Sequence, residues 1–232
     1  MTTATLTATD LRLRGFMVRE LDWDPEVDAS AIGVAAKDGI VTLTGFVDTY
    51  AGKLAAERIA KRVRGVHAVA NDITVRLAVD RTDADIAADA AAALTLQATV
   101  PHTVQITVRH GHVTLTGHVE WLTQKQAAGA AVQHVPGVRS VVNYVEVAPK
   151  PAFRDVHRRI VAALHRNADV DAHNLRVEVA DDIVTLTGTA GSWLQREAAE
   201  RGAASAPGIR QVDNRILVVP PAIEDTDDDE IC

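Results

Sequence analysis

The sequence GIVTLTGFV at residues 39–47 decides the fold of this chain, because nearly the same nine residues occur twice more. They return as GHVTLTGHV at residues 111–119 and as DIVTLTGTA at residues 182–190. The starting positions 39, 111 and 182 are almost evenly spaced. In each copy another glycine and then an asparagine follow at a constant spacing, as at Gly65 and Asn71 in the first. This period exceeds the roughly 20–50 residues of a solenoid repeat, so we expect three small units that each bury their own core.

The positions shared by all three copies carry packing and turn residues rather than catalytic ones. No His, Cys, Asp, Glu or Ser recurs at an equivalent position in all three copies, so we predict that the chain is not an enzyme. We expect the recurring asparagines to satisfy neighbouring backbone groups. The structural repeat signature is Gly45, Gly65 and Asn71; Gly117, Gly137 and Asn143; and Gly188, Gly208 and Asn214.

Each unit begins with the pattern of an amphipathic helix, and strands follow it. Apolar residues four apart mark the buried face of the first helix, as at Leu13, Met17 and Leu21. In VTLTG, alternation places Val41 and Leu43 toward the helices and the threonines on the opposite face. An alanine-rich second helix leads to a third strand, which a right-handed crossover makes parallel to the second. The predicted fold class is α+β: three tandem αββαβ units, each a three-stranded mixed sheet with two helices packed on one face.

Two features of the second strand carry more specific expectations. The preceding turn is Asp-Gly in the first copy, and Asp182 replaces the glycine in the third. We expect Asp182 to adopt the left-handed conformation that the tight turn needs. Gly45 and its equivalents are predicted to end the strand, where the chain swings into the second helix.

Composition and spacing divide the chain into five segments. They are an N-terminal extension at 1–9, units at 10–79, 80–148 and 149–219, and a disordered acidic tail at 220–232. Six acids in the tail account for six of the seven net negative charges, so the body is close to neutral. Without a basic stripe, we expect no nucleic-acid partner. The short linkers favour a compact body with contacts between the units.

Segments that would direct the chain to or through a membrane are not evident in the sequence. No stretch approaches the ~20 apolar residues that cross a bilayer, so we expect no transmembrane segment. The N-terminus lacks the pattern of a secretory signal. The one cysteine, Cys232, excludes an internal disulfide. We therefore expect a cytoplasmic protein; a periplasmic location would require a leader that had been removed.

The motifs of the first unit resemble the BON domain, a family named for bacterial OsmY and nodulation proteins. The matching residues are DGIVTLTGFV at 38–47, the pair Ala55 and Ala56, GVHAV at 65–69, and Asn71. The other two copies match in order and spacing, so the resemblance covers roughly residues 10–219. It implies a bacterial protein of osmotic or envelope stress that binds phospholipid membranes or other macromolecules.

We therefore predict a non-enzymatic triple-BON binding protein of osmotic or general stress, or of the envelope, that binds a protein, a membrane surface or a small ligand. One alternative is a cytoplasmic sensor of a cation such as K⁺ or of another small ligand, because a cytoplasmic relative that pairs BON with LysM binds potassium. A second alternative is a structural or oligomeric scaffold. No cofactor is expected other than such a cation. The partner, whether protein or lipid surface, and the oligomeric state stay open.

Two groups of side chains are candidate binding residues. Tyr50, Trp121 and Trp193 all lie where the second helix begins. They would anchor lipid headgroups or a partner protein, or, in the interpretation that we favour, cap the core or pack between repeats. His110 and His112 bracket the hairpin turn of the second copy, a spacing that binds Zn²⁺ or Ni²⁺ when a third ligand is near. The alternative is that both histidines are solvated.

Overall fold

The computed structural model describes residues 7–76, 81–148, 156–166 and 174–219. Within these ranges the chain forms three consecutive copies of one arrangement, here called unit 1, unit 2 and unit 3, and the predicted α+β class is confirmed. The predicted acidic tail lies outside the described residues, as do residues 1–6 and most of both predicted linkers.

The elements follow the same order in each unit. Unit 1 contains α1 Ala8–Trp23, a 3₁₀ turn Ala29–Ala31, β1 Ile32–Lys37, β2 Ile40–Val47, α2 Tyr50–Arg62, β3 Ala68–Asn71 and β4 Thr74–Val75. Unit 2 contains α3 Asp83–Leu96, β5 Gln105–Arg109, β6 His112–Thr116, β7 His118–Val119, α4 Leu122–Val132, β8 Ser140–Asn143 and β9 Glu146–Val147. Unit 3 contains α5 Val156–Arg166, β10 Leu175–Ala180, β11 Ile183–Ala190, α6 Trp193–Ala204, β12 Gln211–Asn214 and β13 Leu217–Val218.

The sheet of unit 1 has β2 at its centre. Strand β1 runs antiparallel to β2, and β3 and β4 both run parallel to it on the other side. The predicted third strand is thus divided into β3 and β4. Between them the Asn71 side chain accepts a hydrogen bond from the Ile73 N–H at 3.3 Å, which turns the backbone. Units 2 and 3 repeat both pairings.

Each unit buries its own apolar core between one sheet face and the two helices. Leu13, Met17 and Leu21 of α1 are buried against Val41 and Leu43 of β2, as the two periodicities predict. The cores of units 2 and 3 are separate clusters built from the equivalent positions. The threonines of the second strands are absent from these clusters, and in the ranges that the structure describes no helix covers the sheet face that carries them.

A carboxylate at the start of the first helix holds the hairpin turn, which the sequence pattern did not reveal. Asp10 accepts a hydrogen bond from the Asp38 N–H at 2.7 Å. In unit 2, Asp83 accepts from the N–H groups of His110 and Gly111 at 2.8 and 2.9 Å. These backbone hydrogen bonds stabilise the ionised form and hold the pKa of Asp83 below its usual value.

One expectation about the second strand is wrong in two of the three units, and another is wrong in the third hairpin. Strands β2 and β11 continue through Gly45 and Gly188, whereas β6 ends at Thr116, directly before Gly117. Gly45, at φ 105°, lies where the pairing of β2 with β1 ends and its pairing with β4 begins. A Cβ there would lie 2.0 Å from the Ala31 carbonyl oxygen, so no other residue fits. In the third hairpin, Asp181 takes the positive φ of 54°, whereas Asp182 does not.

Candidate functional site

The three units meet through their second helices. The register of the repeat is set by the first positions of the three copies, so that Gly39, Gly111 and Asp182 correspond. Helices α2, α4 and α6 accordingly begin at equivalent residues, which are Tyr50, Leu122 and Trp193. The start of each helix lies next to the later part of another unit, and we call the three meeting places junction 1–2, junction 2–3 and junction 3–1.

Junction 1–2 is filled by Tyr50. This side chain is half-buried and packs against the core of its own unit and against the core of unit 2. An aromatic side chain shared by two cores ties the units together through apolar contact. The structure therefore places Tyr50 between repeats.

Junction 3–1 contains Trp193, the first residue of α6, which lines a cavity of about 270 Å³ together with Lys61. The Lys61 ammonium of unit 1 lies 5.5 Å from the centroid of the indole ring, and the Arg196 guanidinium lies 5.1 Å from it. Cations at these distances are attracted to the negative face of the ring. The Trp193 Nε1 is buried and has no hydrogen-bond partner among the described residues.

Lys61 also forms an ion-pair cluster across junction 3–1. Its ammonium lies 3.0 Å from a carboxylate oxygen of Glu57 in the same helix and 3.4 Å from one of Glu197 in α6. Burial works against the charge, but the two carboxylates outweigh it and raise the pKa of Lys61. Burial likewise opposes ionisation of Glu57, yet Lys61 and Asn71 hold the pKa of Glu57 below its usual value.

This cluster of charges leaves little trace in the sequence. The spacing of Glu57 and Lys61 on one helix face was the only visible sign, and it is common on exposed helices. Glu197 lies 136 residues from Lys61 along the chain, so no local pattern connects them.

Junction 2–3 contains an open cleft of about 520 Å³. Its lining comes from the start of α4, from β9 and the residue before it, and from the later part of unit 3: Leu122, Lys125, Gln126, Val145, Glu146, Val147, Glu200, Arg210, Gln211 and Val212. Trp121, the aromatic residue of this corner, precedes the first helical residue as the N-cap and is 39% exposed. Trp121 thus lies one residue before the helix, whereas Tyr50 and Trp193 are the first residues of their helices.

The recurring asparagines connect the third strand to the second helix. The Asn71 amide donates to the Lys53 carbonyl oxygen at 3.1 Å, and the Asn143 and Asn214 amides donate to Lys125 and Arg196 at 2.7 and 3.1 Å. The backbone group that each amide satisfies is thus a carbonyl of the second helix. The second glycines, at φ 90°, 96° and 83°, lie between that helix and the third strand: Gly65, Gly137 and Gly208.

His110 and His112 line a cavity of about 480 Å³ within unit 2. Asp83 lines it too, but both of its oxygens already accept backbone N–H groups, and His112 Nδ1 lies 2.6 Å from the Ser140 hydroxyl. Within the described ranges no group of three His, Cys, Asp or Glu side chains is placed to hold a metal ion. The third ligand that the metal interpretation requires is thus not supplied by the residues described.

The uncovered faces of the three sheets each expose large apolar side chains near the same end. Phe46 of unit 1 is 38% exposed and lies under the Arg76 guanidinium, 4.2 Å from the ring centroid. Tyr144 of unit 2 and Leu217 of unit 3 are more exposed, at 66% and 67%. We call these surfaces the open sheet faces.

In the part of the chain that is described, no helix is both long and apolar enough to cross a bilayer.

Comparison with known proteins agrees with the repeat structure. The sequence profile of the BON domain matches three times, at residues 13–76, 82–149 and 154–220. Osmotically-inducible protein Y of Escherichia coli (strain K12) is 32% identical over 124 residues, which cover 50% of this chain and 62% of that protein. The chain therefore spans less than two thirds of the length of this relative.

Solved structures also show similarity. A C-terminal domain of CdsD, described as the structural protein of the type III secretion system of Chlamydia trachomatis, is 14% identical, with a TM-score of 0.26. The alignment covers 93% of this chain and 100% of that domain. At this TM-score the similarity carries no argument about the present chain.

Proposed function

Because this chain belongs to the BON domain family, with three copies of the domain, we propose that it is a non-enzymatic binding protein of the bacterial response to osmotic stress. The relative named as osmotically inducible supports the physiological setting. The open sheet faces support the binding role, since among the described residues no helix covers them and each exposes a large apolar side chain. The three side chains occupy different positions of the repeat, and each gives its sheet face an apolar group whose burial by a partner would be favourable.

The partner that best fits these faces is another protein. Phe46, Tyr144 and Leu217 supply apolar contact, and the neighbouring threonines supply hydroxyl groups. Anionic lipid is a weaker fit, because the body of the protein is nearly neutral and gives little electrostatic attraction to such a surface. Potassium binding stays a prediction, and no observed geometry favours it over the binding of a protein or a lipid surface.

A complementation experiment tests the proposal. A strain that lacks the gene is shifted to high osmolarity and supplied with the wild type or with the triple variant Phe46→Glu, Tyr144→Glu, Leu217→Glu. We expect the wild type to restore growth and the triple variant to fail, because three carboxylates would make the open sheet faces polar. The control is Trp23→Glu, at a side chain that is 87% exposed at the end of α1 and outside these faces.

Two results would contradict the proposal. One is full complementation by the triple variant at wild-type protein levels. The other is flotation of the purified wild type with vesicles of anionic phospholipid at physiological salt, with loss of flotation in the triple variant, which would make the partner a lipid surface.

A further inference from the structure

Junction 2–3 lacks the ring, the ammonium and one of the carboxylates that meet at junction 3–1. The register of the repeat gives each residue of one unit a counterpart in the next. The three groups that meet at junction 3–1 therefore have the following counterparts at junction 2–3: Leu122 for Trp193, Gln126 for Glu197, and the fully buried Ala204 for Lys61. An aromatic ring, an ammonium and one carboxylate have all been replaced.

One member of the cluster persists at junction 2–3. Glu200 is the counterpart of Glu57, and the Asn214 amide donates to it at 3.0 Å just as the Asn71 amide donates to Glu57 at 3.3 Å. The second oxygen of Glu57 pairs with Lys61. Glu200 has no ion-pair partner within the described ranges, so its carboxylate is oriented by Asn214 without a cation to complete the arrangement.

The remaining lining of the cleft suits a cation with an apolar body. Leu122 and the valines Val145, Val147 and Val212 supply apolar walls. Glu146 adds a second carboxylate to the lining. Two basic residues, Lys125 and Arg210, also line the cleft. Arg210 already pairs with Asp182 at 3.1 Å, so only the charge of Lys125 is left to balance the two carboxylates.

We propose that the cleft at junction 2–3 binds a small organic cation, a primary ammonium on a short apolar chain. The ammonium pairs with Glu200 as Lys61 pairs with Glu57, and the apolar chain lies against Leu122 and the valines. The volume of about 520 Å³ is ample for such a molecule. An alkali-metal ion fits less well, because it prefers a shell of oxygen ligands, whereas four of the lining side chains are aliphatic. This site is separate from the open sheet faces.

A titration of the full chain followed by ¹H–¹⁵N NMR tests the proposal, with n-pentylamine as the probe. We expect saturable shift changes at Leu122, Gln126, Val147 and Val212, which line the cleft. Neutral 1-pentanol and potassium chloride, at matched concentration and ionic strength, should not reproduce them. Absence of saturation, or the same shifts with potassium chloride, would overturn the proposal.

Two matched variants assign the carboxylate. Glu200→Gln should weaken pentylamine binding by about tenfold or more, because it removes a charged hydrogen-bond acceptor. Glu57→Gln makes the same change at junction 3–1, and the affinity of the cleft for pentylamine should stay unchanged. Equal affinity of Glu200→Gln and the wild type would exclude Glu200 as the ammonium partner and with it the proposal.

A gain-of-site variant gives a measurement that does not depend on how Glu200→Gln folds. Lys61→Ala removes the ammonium from junction 3–1 and leaves Glu57 and Glu197 without it. We expect pentylamine to bind there as well and to shift the Trp193 indole N–H, which it does not shift in the wild type. Failure of the amine to shift this resonance would show that a carboxylate at a junction does not recruit an ammonium.

Discussion

Junctions 3–1 and 2–3 are built on the same helix position, yet the cavity at junction 3–1, of about 270 Å³, is only about half the size of the cleft at junction 2–3. The equivalent helices α4 and α6 begin at Leu122 and Trp193, so the backbone arrangement is shared. The side chains differ: Trp193 and Lys61 line the smaller cavity at junction 3–1, whereas Leu122 and Gln126 line the cleft of about 520 Å³ at junction 2–3. The cores therefore preserve the backbone of the repeat, while the residues between repeats differ in size and charge.

The largest expected effect tests the premise that each unit has its own core. Leu115 of unit 2 is fully buried, so Leu115→Ala should lower the free energy of unfolding by about 2–5 kcal/mol. Thr116→Ala, at the next residue on the exposed sheet face, should lower it far less. Urea denaturation measures both. Similar small changes at the two positions would mean that Leu115 does not lie in a core of unit 2 and that the assigned strand face is wrong.

The second effect contrasts the two tryptophans of the corner. Trp193→Ala should lower the free energy of unfolding by about 2 kcal/mol, because a large apolar side chain leaves the contact between units 1 and 3. Trp121→Ala, at a residue that is 39% exposed, should lower it by about 1 kcal/mol or less. Chemical denaturation followed by circular dichroism measures the difference. A larger loss for Trp121→Ala would reverse the comparison.

A smaller effect concerns the ion pair across junction 3–1. Lys61 and Glu197 are 3.4 Å apart and partly exposed, so a double-mutant cycle with Lys61→Met and Glu197→Gln should give a coupling of about 0.5 kcal/mol. In about 1 M salt the coupling should nearly disappear, because the Debye length shortens to about 3 Å. A coupling that does not change with salt would argue against an electrostatic contact.

The smallest effect is the pH dependence that Glu57 contributes. Its folded-state pKa lies below the usual 4.5, because the favourable contacts with Lys61 and Asn71 outweigh the opposing effect of burial. The folded state therefore binds this proton more weakly than the unfolded state does, and the stabilisation is present above about pH 4.5 and is lost as the pH falls through the lowered pKa. Glu57→Gln should lose less stability than the wild type over that acidic range. Identical pH profiles would show that Lys61 does not stabilise the carboxylate.

The fold was largely predictable because its determinants are local. Apolar residues four apart in α1 and the alternation of VTLTG assigned the buried faces of one helix and one strand. The role of Gly45 was not predictable in the same way. Its positive φ arises where β2 changes partner, and that depends on residues far away in the sequence, Ile32 and Thr74.

The candidate site was predictable only in part. The recurrence of aromatic residues marked the corner where the second helix begins, and Tyr50 and Trp193 do lie between units. The ion-pair cluster of junction 3–1 and the open cleft of junction 2–3 could not be predicted from the sequence. They depend on which unit neighbours which, and Lys61 and Glu197 come together only across 136 residues of chain.

The head-to-tail order of the three junctions gives the chain the geometry of a fused cyclic trimer. A heterologous contact repeated between identical subunits yields a ring if the rotation closes and an open filament if it does not. Here unit 1 contacts unit 2 through Tyr50, units 2 and 3 enclose the cleft, and unit 3 returns to unit 1 through Trp193. In a homotrimer the three contacts must have the same residues, because the subunits are identical. In one polypeptide the residues at each contact can differ. One contact surface can therefore change its chemistry while the other two keep the ring closed.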